Sequence, residues 1–181
     1  MRSEVSLQGT GVFTKDSSGR GTLQQGTDTG GVLATYRYHL RRWLSAEGAY
    51  GWNRDSQKFF APGGFARIQS DMHQATGGFV VNLPAPRRFW LNPYALAEGG
   101  ALVFNPTNNA FGTVPGAQRD TEGVFVYGAG VDLSNPMFKH FALRVEYRGL
   151  VYHAPNFGLK RLDTNTVIHT AVPSAGIVFR F

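Results

Sequence analysis

Between Phe141 and Tyr152 the chain reads FALRVEYRGLVY, and its two alternating sets of residues are chemically opposed. Leu143, Val145, Tyr147, Gly149 and Val151 are apolar or small, while Arg144, Glu146 and Arg148 place three charges between them. A period of two over this length is a β-strand with one oily and one charged face. In a soluble sandwich the oily face would turn inward. The other segments decide which face points outward here.

The same period recurs along the chain. Glu4 to Lys15 sets Val5, Leu7 and Phe13 against Ser6, Gln8 and Thr10. Gly30 to Leu40 sets Val32, Ala34, Tyr36 and Tyr38 against Leu33, Thr35, Arg37 and His39. In the third strand Leu44, Ala46, Gly48, Tyr50 and Trp52 oppose Ser45, Glu47, Ala49 and Asn53, and the fourth ends in ATGGFVVNL. From Asn92 to Phe104, Ala95, Ala97, Ala101 and Val103 lie opposite Glu98. The phase there stays open, because Tyr94, Leu96 and Leu102 fall on the glutamate's side. Phe125, Tyr127, Ala129, Val131 and Leu133 alternate with Gly128, Gly130 and Asp132, and a last strand runs from about Ala171 to Phe181. Pro173 lacks a ladder donor, so it is expected at the loop end of that strand or at a bulge.

Eight strands of about ten residues each match the length that crosses a bilayer at a tilt of about 45°. The connections alternate long and short. In a meander, all long loops then fall at one end and all short turns at the other, as in outer-membrane barrels. The expected fold is all-β: one domain, 1–181, forming an eight-stranded antiparallel up-and-down transmembrane β-barrel. A mean hydropathy of −0.22 does not oppose this, since lipid-facing and lumen-facing residues average out. No apolar run is long enough for a membrane helix. The absence of cysteine excludes thiolate metal sites and disulfides. Met1-Arg2-Ser3 leads straight into alternating sequence without a signal-peptide pattern, so an exported protein of this sequence is expected to be the mature form behind an added start methionine.

The minority face carries Arg37, Glu47, Glu98, Asp132, Arg144, Glu146, Arg148 and Arg180, four positive and four negative charges. A balanced set suits an enclosed space, where an unpaired charge is expensive. Arg37 with Glu47, and Asp132 with Arg144, fall at similar heights on neighbouring strands and are expected to bridge inside the lumen. The polar side is therefore expected to face in and the oily side to face lipid. Aromatic residues gather near strand ends. Trp43, Phe89, Trp90, Phe138 and Phe141 lie by the short turns, and Phe13, Tyr50, Trp52 and Phe125 towards the long loops, as two interfacial girdles would. The formal charge of +6 is spread through strands rather than clustered on one basic face, which argues against a nucleic-acid partner.

At this point the chain resembles the small eight-stranded outer-membrane barrels of the OmpA/OmpX type. The likeness rests on the alternation Ile177-Val178-Phe179-Arg180-Phe181, the segment from Tyr127 to Leu133, and the segment from Leu143 to Arg148. It implies a location in the outer membrane, with the bilayer and lipopolysaccharide as surroundings and a lumen crossed by salt bridges. It also implies that Ile177, Phe179 and Phe181 form the signal read by the outer-membrane insertion machinery. The soluble wall-binding domain that follows many such barrels is not represented in these 181 residues.

Some eight-stranded barrels are enzymes acting on lipid A, a chemistry that needs a nucleophile or base near the outer rim. Ser70, Asp71, His73, His153 and His169 lie towards the long loops, but His73 shares its phase with Ala75 and Phe79 and is expected at lipid headgroups. No catalytic residue, cofactor or metal site is expected. His39 and His140 sit at the opposite end from the other histidines, with no metal-ligand spacing. Three roles remain open: a structural or loop-mediated interaction protein with a possible surface partner, a low-conductance pore for small solutes or ions, and, last, a lipid A-modifying enzyme. An apolar patch at Phe59, Phe60, Ala61 and Pro62 is expected to contact a partner or dip into the outer leaflet.

Overall fold

The structure, a computed structural model, describes residues 2–14, 17–19, 22–26, 29–61, 64–84, 90–106, 119–134, 139–153 and 167–181. The strands are β1 (Ser3–Thr14), β2 (Ser17–Gly19), β3 (Thr22–Gly26), β4 (Thr29–His39), β5 (Leu44–Ala61), β6 (Gly64–Asn82), β7 (Leu91–Pro106), β8 (Asp120–Ser134), β9 (Phe141–His153) and β10 (Val167–Arg180). Eight of them, all but the short β2 and β3, pair antiparallel with their neighbours in chain order. The ladder between β1 and β10, from Glu4 opposite Arg180 to Thr14 opposite Thr170, closes the sheet into a barrel. Closure removes the free edges of the eight-stranded barrel itself, which a strand crossing lipid requires.

The outward side is the oily one. On β9, Phe141, Leu143, Val145 and Tyr147 are exposed, while Arg144, Glu146 and Arg148 are buried. Val5, Leu7, Val32, Tyr36, Phe79, Phe125 and Ile177 continue the exposed apolar surface around the barrel. Such a surface is stable only against hydrocarbon.

Four expectations need correction. The second long connection is largely strand: β5 and β6 pair from Leu44 opposite Val81 up to Ala61 opposite Gly64. A ladder needs only backbone partners. The sequence of residues 54–69 keeps no regular apolar face, so the period-two signal fades while the strand continues. The first long connection contains the hairpin of β2 and β3, which joins β5 by pairing Leu23 with Phe60 through Gly26 with Gln57. The stretch Phe59–Ala61 is thus strand, while Pro62 lies outside the described residues. Pro173 sits inside β10, opposite Tyr147 of β9. Its missing donor is accommodated on the other side, where the β1 register lapses between Thr10–Ser174 and Phe13–Ala171.

The fourth correction concerns the interior, which is not polar throughout. Val12, Met72, Leu102, Phe104, Val124, Val126, Leu150, Tyr152, Ile168 and Val172 fill its long-loop half. The open phase of β7 is settled by the same layer: Tyr94, Leu96, Glu98, Leu102 and Phe104 point inward, and Ala95, Ala97 and Ala101 point out. From Ala95 to Ala101 only small residues remain for the lipid side of that strand.

Candidate functional site: the ionic lumen

Below the apolar layer, towards the short turns, lies a set of buried charges. Direct register neighbours supply two of the pairs. Arg37 stands opposite Glu47, with its Nε donating to Oε2 at 2.6 Å. Arg144 stands opposite Asp132, with Nε and Nη2 forking onto the two carboxylate oxygens at 2.8 and 2.9 Å. A two-pronged guanidinium–carboxylate contact is both strong and geometrically selective.

Other contacts cross the lumen. Arg144 Nη2 also reaches Glu4 on β1 at 2.5 Å. Arg148 is wholly buried and engages three carboxylates: Glu146 through Nε at 2.6 Å, Glu98 through Nη1 at 2.9 Å, and Glu47 through Nη2 at 2.6 Å. Arg180, at the short-turn mouth, donates to Glu4, Asp132 and Ser134. All eight charges read from the sequence are therefore on the inner face of one barrel and in mutual reach.

Glu4 and Tyr94 were missed. Glu4 accepts from Arg144 and Arg180 and lies 3.3 Å from Arg37 Nη1. Its signal was present, since it shares its phase with the inward Ser6 and Gln8. With it the lumen holds five carboxylates against four guanidiniums, so the expected neutrality is off by one negative charge. His39, half-buried at the rim, brings Nε2 to 3.5 Å from Glu4. Tyr94 donates to Glu146 Oε2 at 2.5 Å, and its ring lies 4.2 Å beneath the Arg37 guanidinium. Tyr94, Gly130 and Glu146 are successive register partners on β7, β8 and β9. The tyrosine therefore crosses directly over Gly130, where any side chain would collide with its ring.

Thr76 of β6 donates to Glu98 at 2.7 Å, so every long strand contributes to the network or to its hydrogen bonds. A polar ladder of Ser174, Gln8, Ser6 and Thr35 adjoins it, with contacts of 2.8, 3.1 and 2.7 Å. At the short-turn mouth a recess of about 600 Å³ is lined by Glu4, His39, Arg42, Trp43, Asp132 and Arg180 among others.

The remaining candidates are dispersed. Ser70 points inward, whereas Asp71 pairs outside with Arg54 at 2.8 Å and His73 bonds Tyr50 on the lipid face at 2.8 Å. His169 likewise bonds Tyr127, which passes over Gly149, and His153 is exposed at the end of β9. His140 meets the Arg180 carbonyl at 3.0 Å, and His39 bonds Ser45 at 2.8 Å. The structure thus does not bring Ser70, Asp71, His73, His153 and His169 together; among the described residues a histidine meets both a serine and an acid at His39, between Ser45 and Glu4 at the short-turn rim. Among the described residues no group of three potential metal ligands occurs. Trp43, Trp90 and Phe141 are exposed at the short-turn end and Tyr50 and Trp52 further up, while Phe89 and Phe138 lie outside the described residues. Ile177, Phe179 and Phe181 all face outward.

A closed eight-stranded barrel with a lipid-compatible exterior and a charged interior is an integral outer-membrane protein. The chain belongs to the outer membrane protein beta-barrel domain family, which it matches over residues 3–181. No curated protein sequence matches it. Among solved structures it resembles the outer membrane protein OprG from Pseudomonas aeruginosa, at 13% identity and a TM-score of 0.67 over 99% of this chain and 95% of that one. Neisserial surface protein A gives 13% and 0.64 over 99% and 97%. Ail of Yersinia pestis, in complex with the heparin analogue sucrose octasulfate, gives 19% and 0.52 over 99% and 100%. At these identities the likeness concerns the fold.

Proposed function

We propose that this protein is a plugged outer-membrane barrel, resident in the bilayer through its strands and acting at its extramembrane surface in a structural or interaction role. One observation carries this reading: the lumen is filled twice in series, by the ionic network and by the apolar layer above it. Eight strands enclose little more than the volume their own side chains occupy. Surface partners are then met at the long-loop end, where β5 and β6 project as a paired hairpin and β2 and β3 widen it into a small sheet. That Ail is solved with a sulfated sugar analogue supports an anionic saccharide, such as the lipopolysaccharide around the barrel, as the first class of surface ligand to test.

Single-channel recording of the refolded protein in a planar bilayer tests the plug. A folded, heat-modifiable barrel that stays electrically silent is the expected result. Discrete openings that change when Glu98 or Arg148 is neutralised would replace this reading with the low-conductance pore. The pore reading has an observation of its own: Arg37 Nη2, Asn53 Nδ2 and Glu98 Oε1 are buried without a protein hydrogen-bond partner, as groups along a hydrated path would be. Incubation with lipopolysaccharide, followed by lipid A mass measurement, tests the enzymatic alternative; unchanged mass is expected.

A further inference from the structure

The formal charge of +6 is not spread evenly over the molecule. The lumen holds four guanidiniums and five carboxylates. The long connections and the strand ends beside them contain eight Lys or Arg and seven Asp or Glu. The short connections 40–43, 83–90 and 135–140, with residue 2, contain six cations and no carboxylate. The whole net charge therefore comes from these short connections and residue 2. Arg2, Arg41, Arg42 and Lys139 are the described cations among them, and all four are exposed. None of the ion pairs among the described residues uses them.

Their placement points at a membrane surface. Arg41 and Leu44 exchange backbone hydrogen bonds of 2.9 and 3.3 Å, so Arg42 and Trp43 form the two-residue tip of the turn. Leu40, Trp43, Leu83, Trp90, Phe141 and Phe181 are exposed at the same end. The cations thus continue directly from the lipid-facing aromatic belt. Long basic side chains in that position keep their stems in the interface and their heads at headgroup level.

We infer that this collar is a binding surface for anionic phospholipid headgroups of the periplasmic leaflet. The chemistry it recognises is a phosphodiester whose negative charge is not cancelled by its own headgroup, as in phosphatidylglycerol. An acidic soluble partner would match the charge alone. Only a lipid also matches its continuity with the apolar belt. The inference requires the barrel to sit in a membrane and is independent of whether the lumen conducts.

Two of the three tryptophans, Trp43 and Trp90, stand at the collar and report on it directly. A Trp52→Phe variant is refolded into phosphatidylcholine vesicles containing brominated phosphatidylglycerol or, at equal mole fraction, brominated phosphatidylcholine. A cation near an anionic surface contributes about 1 kcal/mol, equivalent to about a fivefold preference. Quenching by the brominated anionic lipid should therefore exceed that by the zwitterionic one severalfold and fall towards equality as salt is raised. The excess should also fall in Arg41→Gln/Arg42→Gln/Lys139→Gln, which removes three of the six cations. A Trp43→Phe/Trp90→Phe variant, reporting from Trp52 at the other end, should show no excess. Equal quenching by both lipids in the Trp52→Phe protein would overturn the inference and leave a soluble acidic partner as the match for the charge. An excess that survives the triple substitution undiminished, or that appears equally at Trp52, would overturn it too. Should the triple variant fail to fold, the salt series and the comparison of the two reporters still decide.

Discussion

Arg148→Met removes the most heavily used cation of the lumen while keeping most of its volume. In the native barrel this guanidinium is fully buried and bonds three carboxylates at 2.6, 2.9 and 2.6 Å. The three are not left equally exposed by its loss. Glu47 keeps Arg37 at 2.6 Å, and Glu146 keeps the Tyr94 hydroxyl at 2.5 Å. Glu98 retains only the Thr76 hydroxyl at 2.7 Å, so the uncompensated charge falls on it. Breaking a buried pair from one side costs about 3–5 kcal/mol. With a urea slope of about 2 kcal/mol per molar, the unfolding midpoint should drop by about 1.5–2.5 M. The assay is reversible urea unfolding in lipid vesicles, followed by tryptophan fluorescence and by heat-modifiable gel mobility. Adding Glu98→Gln should recover part of the loss, with a coupling of about 0.5–3 kcal/mol. A midpoint unchanged by Arg148→Met would refute the reasoning. So would a second substitution that restores nothing, because the cost would then not lie in an orphaned carboxylate.

Gly130→Val places a side chain where the Tyr94 ring crosses to Glu146. Overpacking there should cost about 1–3 kcal/mol in the same unfolding assay, and paired Tyr94→Ala should relieve the clash but not restore the lost hydrogen bond. Leu102→Ala with Leu150→Ala hollows the apolar layer and should destabilise by about 2–5 kcal/mol per site. The barrel should nevertheless stay silent in planar bilayers, because the ionic layer beneath it remains shut; openings in this variant would mean that the apolar layer alone is the seal. Phe181→Ser should lower assembly by the insertion machinery in cells while leaving refolding into detergent unchanged. Equal losses in both settings would make Phe181 a packing residue rather than a signal.

Alternation made most of this barrel legible because each strand separates two solvents, and residues such as Leu143 and Arg144 differ sharply between them. It failed where that contrast was missing. On β7, Leu102 and Phe104 face the lumen while Ala101 and Val103 face lipid, so both sides read as apolar and the phase stays open. Val124, Val126 and Leu150 belong to the same inner layer, and nothing in their spacing distinguishes an apolar lumen from an apolar exterior. Above Asn53 and Ser70 the opposite happens. The sequence there loses its alternation of apolar and polar residues, and the paired ends of β5 and β6 read as loop. Contacts between distant strands were less legible than faces. Arg37 opposite Glu47 follows from counting along a hairpin, but Arg144 to Glu4 joins residues 140 positions apart and depends on closure between β1 and β10.

The division of the lumen into an ionic and an apolar half bears on how the chain chooses one register. A slip of one residue along a strand turns its whole inward set outward. In the long-loop half that exchange would be cheap, since Leu150 and Val151 on β9, or Leu102 and Val103 on β7, are alike in their preference for hydrocarbon. In the short-turn half it would put Arg144, Glu146 and Arg148 into lipid and leave their partners on β1, β5, β7 and β8 unpaired inside. The penalty therefore concentrates where the strands are joined by short turns and where β1 meets β10. Those are the points at which a meander must commit to its pairing, and Glu4 opposite Arg180 is one of the closing pairs. Glu4 also binds Arg144 across the lumen. Closure of the sheet and correct facing of β9 are satisfied by the same carboxylate, and neither can be wrong without exposing it.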